Sequence, residues 1–118
     1  MPIHVLFVED EADLRTVVVE ALTDQGFAVT AASNGVEAIS ELRGGIQYSM
    51  VVTDVCMPEG VSGLDVAAEV AHSQPQARVM VVSGLPRAQL PPLPPSVRYL
   101  PKPYRFSQLI RAIHEELG

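Results

Sequence analysis

An α/β fold, a doubly wound five-stranded parallel sheet, is what this sequence predicts, and three observations predict it. Short Val-rich apolar runs alternate with stretches of helical period, the pattern of a parallel sheet covered on both faces. Four of those runs end abruptly in polar residues. In open α/β sheets the ligand crevice lies just beyond the carboxyl ends of the strands, so polar groups there are rigidly held yet reachable. Finally, 118 residues at 47% apolar content make one domain with one real core, residues 1–118.

In chain order, His4-Val5-Leu6-Phe7-Val8 is the first run, followed by Glu9-Asp10-Glu11. Leu14, Val17, Val18, Ala21 and Leu22 then form one helical stripe, and Gly26 supplies a left-handed stop. A strand from Phe27 to Ala32 follows. Asn34, with Glu37 three residues later, reads as the cap of a short helix carrying Ala38, Ile39 and Leu42 and ended by Gly44-Gly45. The run Met50-Val51-Val52-Thr53 closes on Asp54, with Val55-Cys56-Met57-Pro58 behind it. A third helix from about Leu64 to His72 uses Leu64, Ala67, Val70 and Ala71 before Gln74-Pro75 breaks it. Val79-Met80-Val81-Val82 leads into Ser83-Gly84, and Val97-Arg98-Tyr99-Leu100-Pro101 into Lys102-Pro103. Phe106, Leu109, Ile110, Ile113 and Leu117 mark the last helix, for about five βα units in all.

The exception is Leu85 to Ser96. Parallel strands need a crossover, usually a helix, yet Pro86, Pro91, Pro92, Pro94 and Pro95 crowd this segment. An interior proline costs a helix about 3 kcal/mol, so at most one or two turns, Pro86 to Leu90, can form. A rigid extended connector is expected, in preference to a Pro-rich docking strip.

Eight basic against 14 acidic residues give a net charge of -6, which argues against sequence-independent nucleic-acid binding. The expected partner is a protein or a small ion. One cysteine, Cys56, makes no internal disulfide. The N-terminus has no basic n-region and the apolar runs are far shorter than a membrane span, so a cytoplasmic location is expected and a membrane partner is not. His4, His72 and His114 are scattered and form no metal set; surface positions are expected for them.

The four strand ends deliver an acid pair, a single carboxylate, a hydroxyl and an ammonium. Those groups can hold a divalent cation and a phosphoryl group around one nucleophilic Asp. Asp54 is the proposed nucleophile, because a carboxylate oxygen can attack phosphorus if the charge gathering on the phosphoryl oxygens is neutralised. Lys102, held between Pro101 and Pro103, is the candidate ammonium. Ser83 offers a hydroxyl and Gly84 leaves room for an oxygen to approach.

Taken together, Val8-Glu9-Asp10-Glu11, Asp54 with Met57-Pro58 and Gly63, Ser83-Gly84, and Tyr99 with Lys102-Pro103 resemble the receiver domain of two-component response regulators over nearly the whole chain. The resemblance implies a flavodoxin-like sheet in the order 2-1-3-4-5. It also implies transfer of a phosphoryl group to Asp54 from a histidine kinase or histidine phosphotransfer protein, with Mg2+ or Mn2+. Asp10 and Asp54 are the implied direct metal ligands, with Glu9 direct or through water and the backbone carbonyl of Cys56 completing the set. The Cys56 thiol is expected to be a small buried hydrophobe, since magnesium prefers oxygen. Ser83 and Tyr99 would form a switch, the aromatic turning inward as the hydroxyl moves to the phosphate. Pro103 is a candidate cis-proline.

The sequence departs from that family pattern in three places. Pro58 and Gly63 stand five apart where the family has four, and Gly60 is expected to absorb the extra residue. The Pro-rich segment replaces the fourth helix, so the family's output geometry does not carry over. Cys56 and Leu85 occupy the positions that help place hydrolytic water in the family, and neither positions water well, so a slowly decaying phosphoryl group is expected.

Met1 opening directly onto the first strand, and Gly118 closing on the last helix, favour a complete single-domain protein whose output runs through an unknown downstream protein. The nearest alternative is the C-terminal receiver of a hybrid sensor kinase. A Mg2+-dependent phosphatase with an Asp nucleophile normally needs a second acid where Cys56 stands, and a phosphorylation-independent module would typically lack Asp10, Asp54 or Lys102. The chain therefore reads as a phosphoacceptor that assists its own phosphorylation and dephosphorylation, not as an enzyme.

Overall fold

A computed structural model describes residues 2–57 and 60–118. Met1, Pro58 and Glu59 lie outside the described residues, and with them the proline of the Met57-Pro58 step and part of the lengthened loop. Five parallel strands, β1 (His4–Val8), β2 (Ala28–Ala32), β3 (Met50–Asp54), β4 (Arg78–Ser83) and β5 (Val97–Pro101), form one sheet in the order β2-β1-β3-β4-β5. The helices are α1 (Ala12–Asp24), α2 (Gly35–Leu42), α3 (Gly63–Ser73) and α4 (Phe106–Leu117).

Alternate strand residues separate two apolar layers. Leu6, Val8, Val51, Val79 and Val81 pack with α2 and α3 on one face. Val5, Phe7, Met50, Val52, Met80 and Val82 pack with α1 and α4 on the other. Burial on both faces is why these strands read as continuous apolar runs and not as an alternation. Among the described residues no helix is long and apolar enough to cross a membrane.

The helix caps follow their side chains. Asn34 Oδ1 accepts from the Glu37 amide at 2.8 Å, and Glu37 in turn accepts from the Ser33 amide. Ser62 and Asp65 close a reciprocal capping box on α3, which sequence reasoning did not pick out. Gly26, at φ 95°, stands just past the end of α1.

Several expectations are corrected. Val17 is 63% exposed, because the α1 stripe facing the sheet runs through Leu14, Val18 and Leu22. Phe27 precedes β2 and is buried in the core. His4 is half-buried, its ring edge-on to Tyr48 and its Nε2 3.2 Å from Thr30 Oγ1, whereas His72 and His114 are exposed. Four βα units carry α-helices, not five. The fourth crossover, between β4 and β5, holds only a short 3-10 turn, Arg87–Gln89, as the prolines require, and Leu90 and Leu93 anchor the extended remainder on the α2/α3 layer.

An ion pair joins α2 to α3, the exposed Arg43 guanidinium donating to the buried Glu69 carboxylate at 2.6 Å, with the Ser73 hydroxyl also donating to it. These donors hold Glu69 down at about 2, below its ordinary 4.5. The unfolded chain therefore takes up the proton first as pH falls. The pair's contribution is complete above about pH 4.5 and is lost as pH falls toward 2. Glu69→Gln is expected to melt below the parent protein at pH 6, with the gap closing between pH 4.5 and 2 in a circular-dichroism series. Because Arg43 is open to solvent, added salt should narrow the gap as well.

Candidate functional site

The carboxyl ends of β1, β3, β4 and β5 bring Glu9, Asp10, Asp54, Ser83 and Lys102 to one edge of the sheet. Parallel pairing explains the convergence. Val8 lies beside Thr53, Asp54 beside Val82, and Ser83 beside Pro101, so each polar residue emerges level with its neighbours. Backbone bonds continue the register beyond the strands: Glu9 N donates to Ala32 O at 3.0 Å, Val55 N to Val82 O at 3.0 Å, and Lys102 N to Ser83 O at 2.8 Å.

Lys102 is the electrostatic centre. Its Nζ stands 2.8 Å from Asp54 Oδ1 and 2.8 Å from Glu9 Oε1, both carboxylates being nearly buried. Burial first, and then the neighbouring Glu9 carboxylate, push Asp54 up to about 8, against the pull of Lys102. Glu9 is held below its usual range by its hydrogen bonds with Asp54, Lys102 and the Glu11 amide, which outweigh the cost of burying it. Two acids this close cannot both carry full charge easily, so the one in the better donor field stays ionised. The two carboxylates raise the Lys102 ammonium above its ordinary value despite its burial. Arg15 Nη1 donates to Glu9 O at 2.8 Å and ties α1 to this corner.

Oxygen atoms of Glu9, Asp10 and Asp54 all lie within 4.8 Å of one another, with Asp10 exposed and the other two buried. Three carboxylates and no nitrogen or sulfur donor suit a hard divalent cation such as Mg2+ or Mn2+. The Cys56 thiol is not in this group, and it is exposed, contrary to the expected buried hydrophobe. The reason is that β3 ends at Asp54, so Cys56 already lies in the loop beyond the sheet.

Ser83 and Tyr99 meet at one residue. Leu85 N donates to Ser83 Oγ at 3.0 Å, and the Tyr99 hydroxyl donates to Leu85 O at 2.8 Å. Gly84 is exposed beside them. The Lys102–Pro103 peptide bond is cis.

Gly63 has a role that spacing alone did not reveal. A Cβ on it would lie 2.1 Å from the Asp54 carbonyl oxygen, and its N–H donates to Val55 O at 2.8 Å. Helix α3 thus starts in direct contact with the backbone that carries Asp54. Gly60, at φ 74°, makes the left-handed turn in the loop before it, where the extra residue was expected to be absorbed.

The family model of the response regulator receiver domain matches residues 5–114. The response regulator receiver protein CpdR of Brucella abortus is 30% identical over 97% of this chain and 96% of its own length. The sensor kinase CckA of the same organism is 37% identical over 96% of this chain, which spans only 12% of that protein. Among solved structures, the complex of the histidine kinase ThkA with the response regulator protein TrrA of Thermotoga maritima matches with a TM-score of 0.83 at 27% identity, covering 98% of this chain and 99% of the matched one.

Proposed function

The chain belongs to the response regulator receiver domains, the signal-receiving modules of two-component systems, and on that premise we propose that Asp54 is its phosphoryl acceptor. One observation carries the assignment: a lysine ammonium stands 2.8 Å from the carboxylate oxygen of a nearly buried Asp at a strand end. An oxygen of Asp54 forms the new O–P bond as the N–P bond of a donor phosphohistidine breaks. The imidazole nitrogen keeps that bond's electron pair. Lys102 turns from the carboxylates to a phosphoryl oxygen, Ser83 donates to a second, and Gly84 leaves the approach open.

Glu9, Asp10 and Asp54, with the Cys56 carbonyl, would hold Mg2+ or Mn2+. When bound, the cation supplies neutralising charge for the phosphoryl oxygens.

The shared contact at Leu85 supports the switch role of Ser83 and Tyr99. A Ser83 hydroxyl that turns to the phosphoryl group leaves the Leu85 amide, which loosens the residue whose carbonyl holds the Tyr99 hydroxyl and frees that ring to turn inward. Phosphorylation is thereby read as a rearrangement of the loop leading into the Pro-rich crossover.

Receiver domains interact with histidine kinases, as TrrA does with ThkA in their complex. For this chain the donor is a histidine kinase or a histidine phosphotransfer protein, and the setting is cytoplasmic. The chain acts as a phosphoacceptor that assists its own phosphorylation and dephosphorylation, without turning over a substrate of its own. Likeness across almost all of CpdR supports a receiver acting by itself; likeness to a segment of CckA supports the receiver of a hybrid kinase.

Incubation with acetyl phosphate and Mg2+ is the test. One phosphoryl group per chain is expected, mapping to the Asp54 peptide, persisting for minutes and absent when a chelator removes the cation. Label on another residue, or equal labelling without the cation, would overturn the assignment.

A further inference from the structure

The crossover between β4 and β5 shows its prolines to solvent. Proline fixes its own backbone and holds the residue before it extended, so the chain from Leu90 to Pro94 is driven into a left-handed extended helix with three residues per turn. Leu90, at φ -90° and ψ 152°, fits that form. A three-residue turn puts Leu90 and Leu93 on one side, where they pack on the α2/α3 layer, and leaves Pro91, Pro92, Pro94 and Pro95 exposed on the others. Leu85, at the start of the segment, is 40% exposed. A contiguous apolar strip rimmed by charge is the surface signature of an interaction site.

The strip also forms one wall of a groove. An extended crossover covers less of the sheet than a helix would, and between it and α3 lies a cavity of about 690 Å³ lined by Leu64, Ala71, Val79, Val97, Pro92 and Pro94. The wall is fixed at both ends: the Tyr99 hydroxyl donates to Leu85 O at 2.8 Å, and the Val97 amide donates to Pro94 O at 3.0 Å. A preformed apolar groove with proline on one side suits a flat aromatic ring, which packs on proline and brings a large contact area for little lost freedom.

Charge indicates what flanks that ring. Arg78 stands at the cavity, and Arg87 opens the proline strip. Both are exposed, and among the described residues neither pairs with a carboxylate, although the chain carries 14 acidic residues against eight basic. Two unclaimed guanidiniums beside an apolar groove complement an acidic segment. A second copy of this chain fits poorly, because none of its three Tyr and three Phe residues is exposed to supply the ring. Two chains of net charge -6 also repel.

We propose that the groove between α3 and the proline crossover is a docking site for a short segment of a partner protein in which an aromatic residue stands among acidic ones. The ring enters the cavity against Pro92 and Pro94, and the carboxylates meet Arg78 and Arg87. The groove is present in the resting protein, so the inference does not rest on Asp54 being the phosphoryl acceptor.

A random peptide library displayed on phage and panned on the full chain is the test. Selected peptides are expected to carry an aromatic residue with acidic neighbours, and their synthetic forms to bind in fluorescence anisotropy. Ala71→Gln pushes a larger neutral side chain into the groove from an exposed helix position and should raise the dissociation constant about tenfold or more. Ala68→Gln, at a second exposed position lining the cavity, should do the same. Arg78→Gln should weaken binding about threefold and flatten its dependence on salt. All three variants should keep the parent's melting temperature and circular-dichroism spectrum, which separates a lost site from a lost fold. Selection of peptides without an aromatic residue, or of none at all, would overturn the proposal, and so would unchanged affinity in both Ala71→Gln and Ala68→Gln. Equal binding after lysines replace the peptide's acidic residues would remove the part given to the arginines. A dimer in sedimentation that Ala71→Gln disperses would assign the groove to a second copy and overturn the partner named here.

Discussion

Lys102→Ala is expected to slow phosphoryl uptake from acetyl phosphate by about a hundredfold or more, the usual cost of deleting one preorganised charge from a transfer site. The effect is large because, among the described residues, no other cation pairs with the Glu9 or Asp54 carboxylate. Arg15 donates to the Glu9 backbone, and Arg43 pairs with Glu69. Lys102→Arg should restore only part of the rate, since a planar fork cannot occupy the place of a point charge 2.8 Å from two carboxylates at once. Asp54→Ala takes the effect to its limit, with no label at that position. Intact-mass measurement over time separates the three variants, and wild-type kinetics in Lys102→Ala would remove the lysine from the mechanism.

Gly63→Ala is expected to damage both stability and uptake through a single methyl group. Its Cβ would meet the Asp54 carbonyl oxygen at 2.1 Å, the Asp54 carbonyl carbon at 2.8 Å and Val55 Cα at 3.0 Å. All three are backbone atoms of the strand end, so no side-chain rotation relieves the clash. Either α3 retreats or the end of β3 moves, taking Asp54 with it. Overpacking of this kind costs about 3 kcal/mol, measured as a lower urea midpoint at unchanged slope. Gly60→Ala is the informative contrast. It meets nothing within 4 Å and pays only for its left-handed backbone, about 1 kcal/mol, so its uptake should remain near that of the parent. Equal losses in the two variants would show that the close approach at Gly63 is unimportant.

Much of this site was legible in the sequence because each of its polar residues directly follows an apolar run. Asp54 after Met50-Val51-Val52-Thr53 and Lys102 after the fifth run are local patterns, and a parallel sheet in register makes them neighbours. The short 3-10 turn at Arg87–Gln89 was legible for a similar reason, since proline restricts its own backbone wherever it lies. Residues whose role comes from a distant partner were not legible. Gln74 read only as a helix breaker, yet its side chain is buried. It donates to Leu42 O and Ile46 O and accepts from the Tyr48 amide, so it ties the end of α3 to the approach of β3. Cys56 was misplaced because its exposure depends on where β3 stops, a boundary that apolar Val55 obscures.

The sequence by itself determined the strands, the crossover that could not be a helix, and the set of groups able to surround one aspartate. These follow from periodicity, proline geometry and side-chain chemistry, which act within a few residues. Only the tertiary structure decided that one ammonium bridges Glu9 and Asp54, that Ser83 and Tyr99 share Leu85, and that Gly63 must lack a side chain. Those depend on distances between segments far apart in the chain, and such distances exist only once the two apolar layers have packed and set the strand ends side by side.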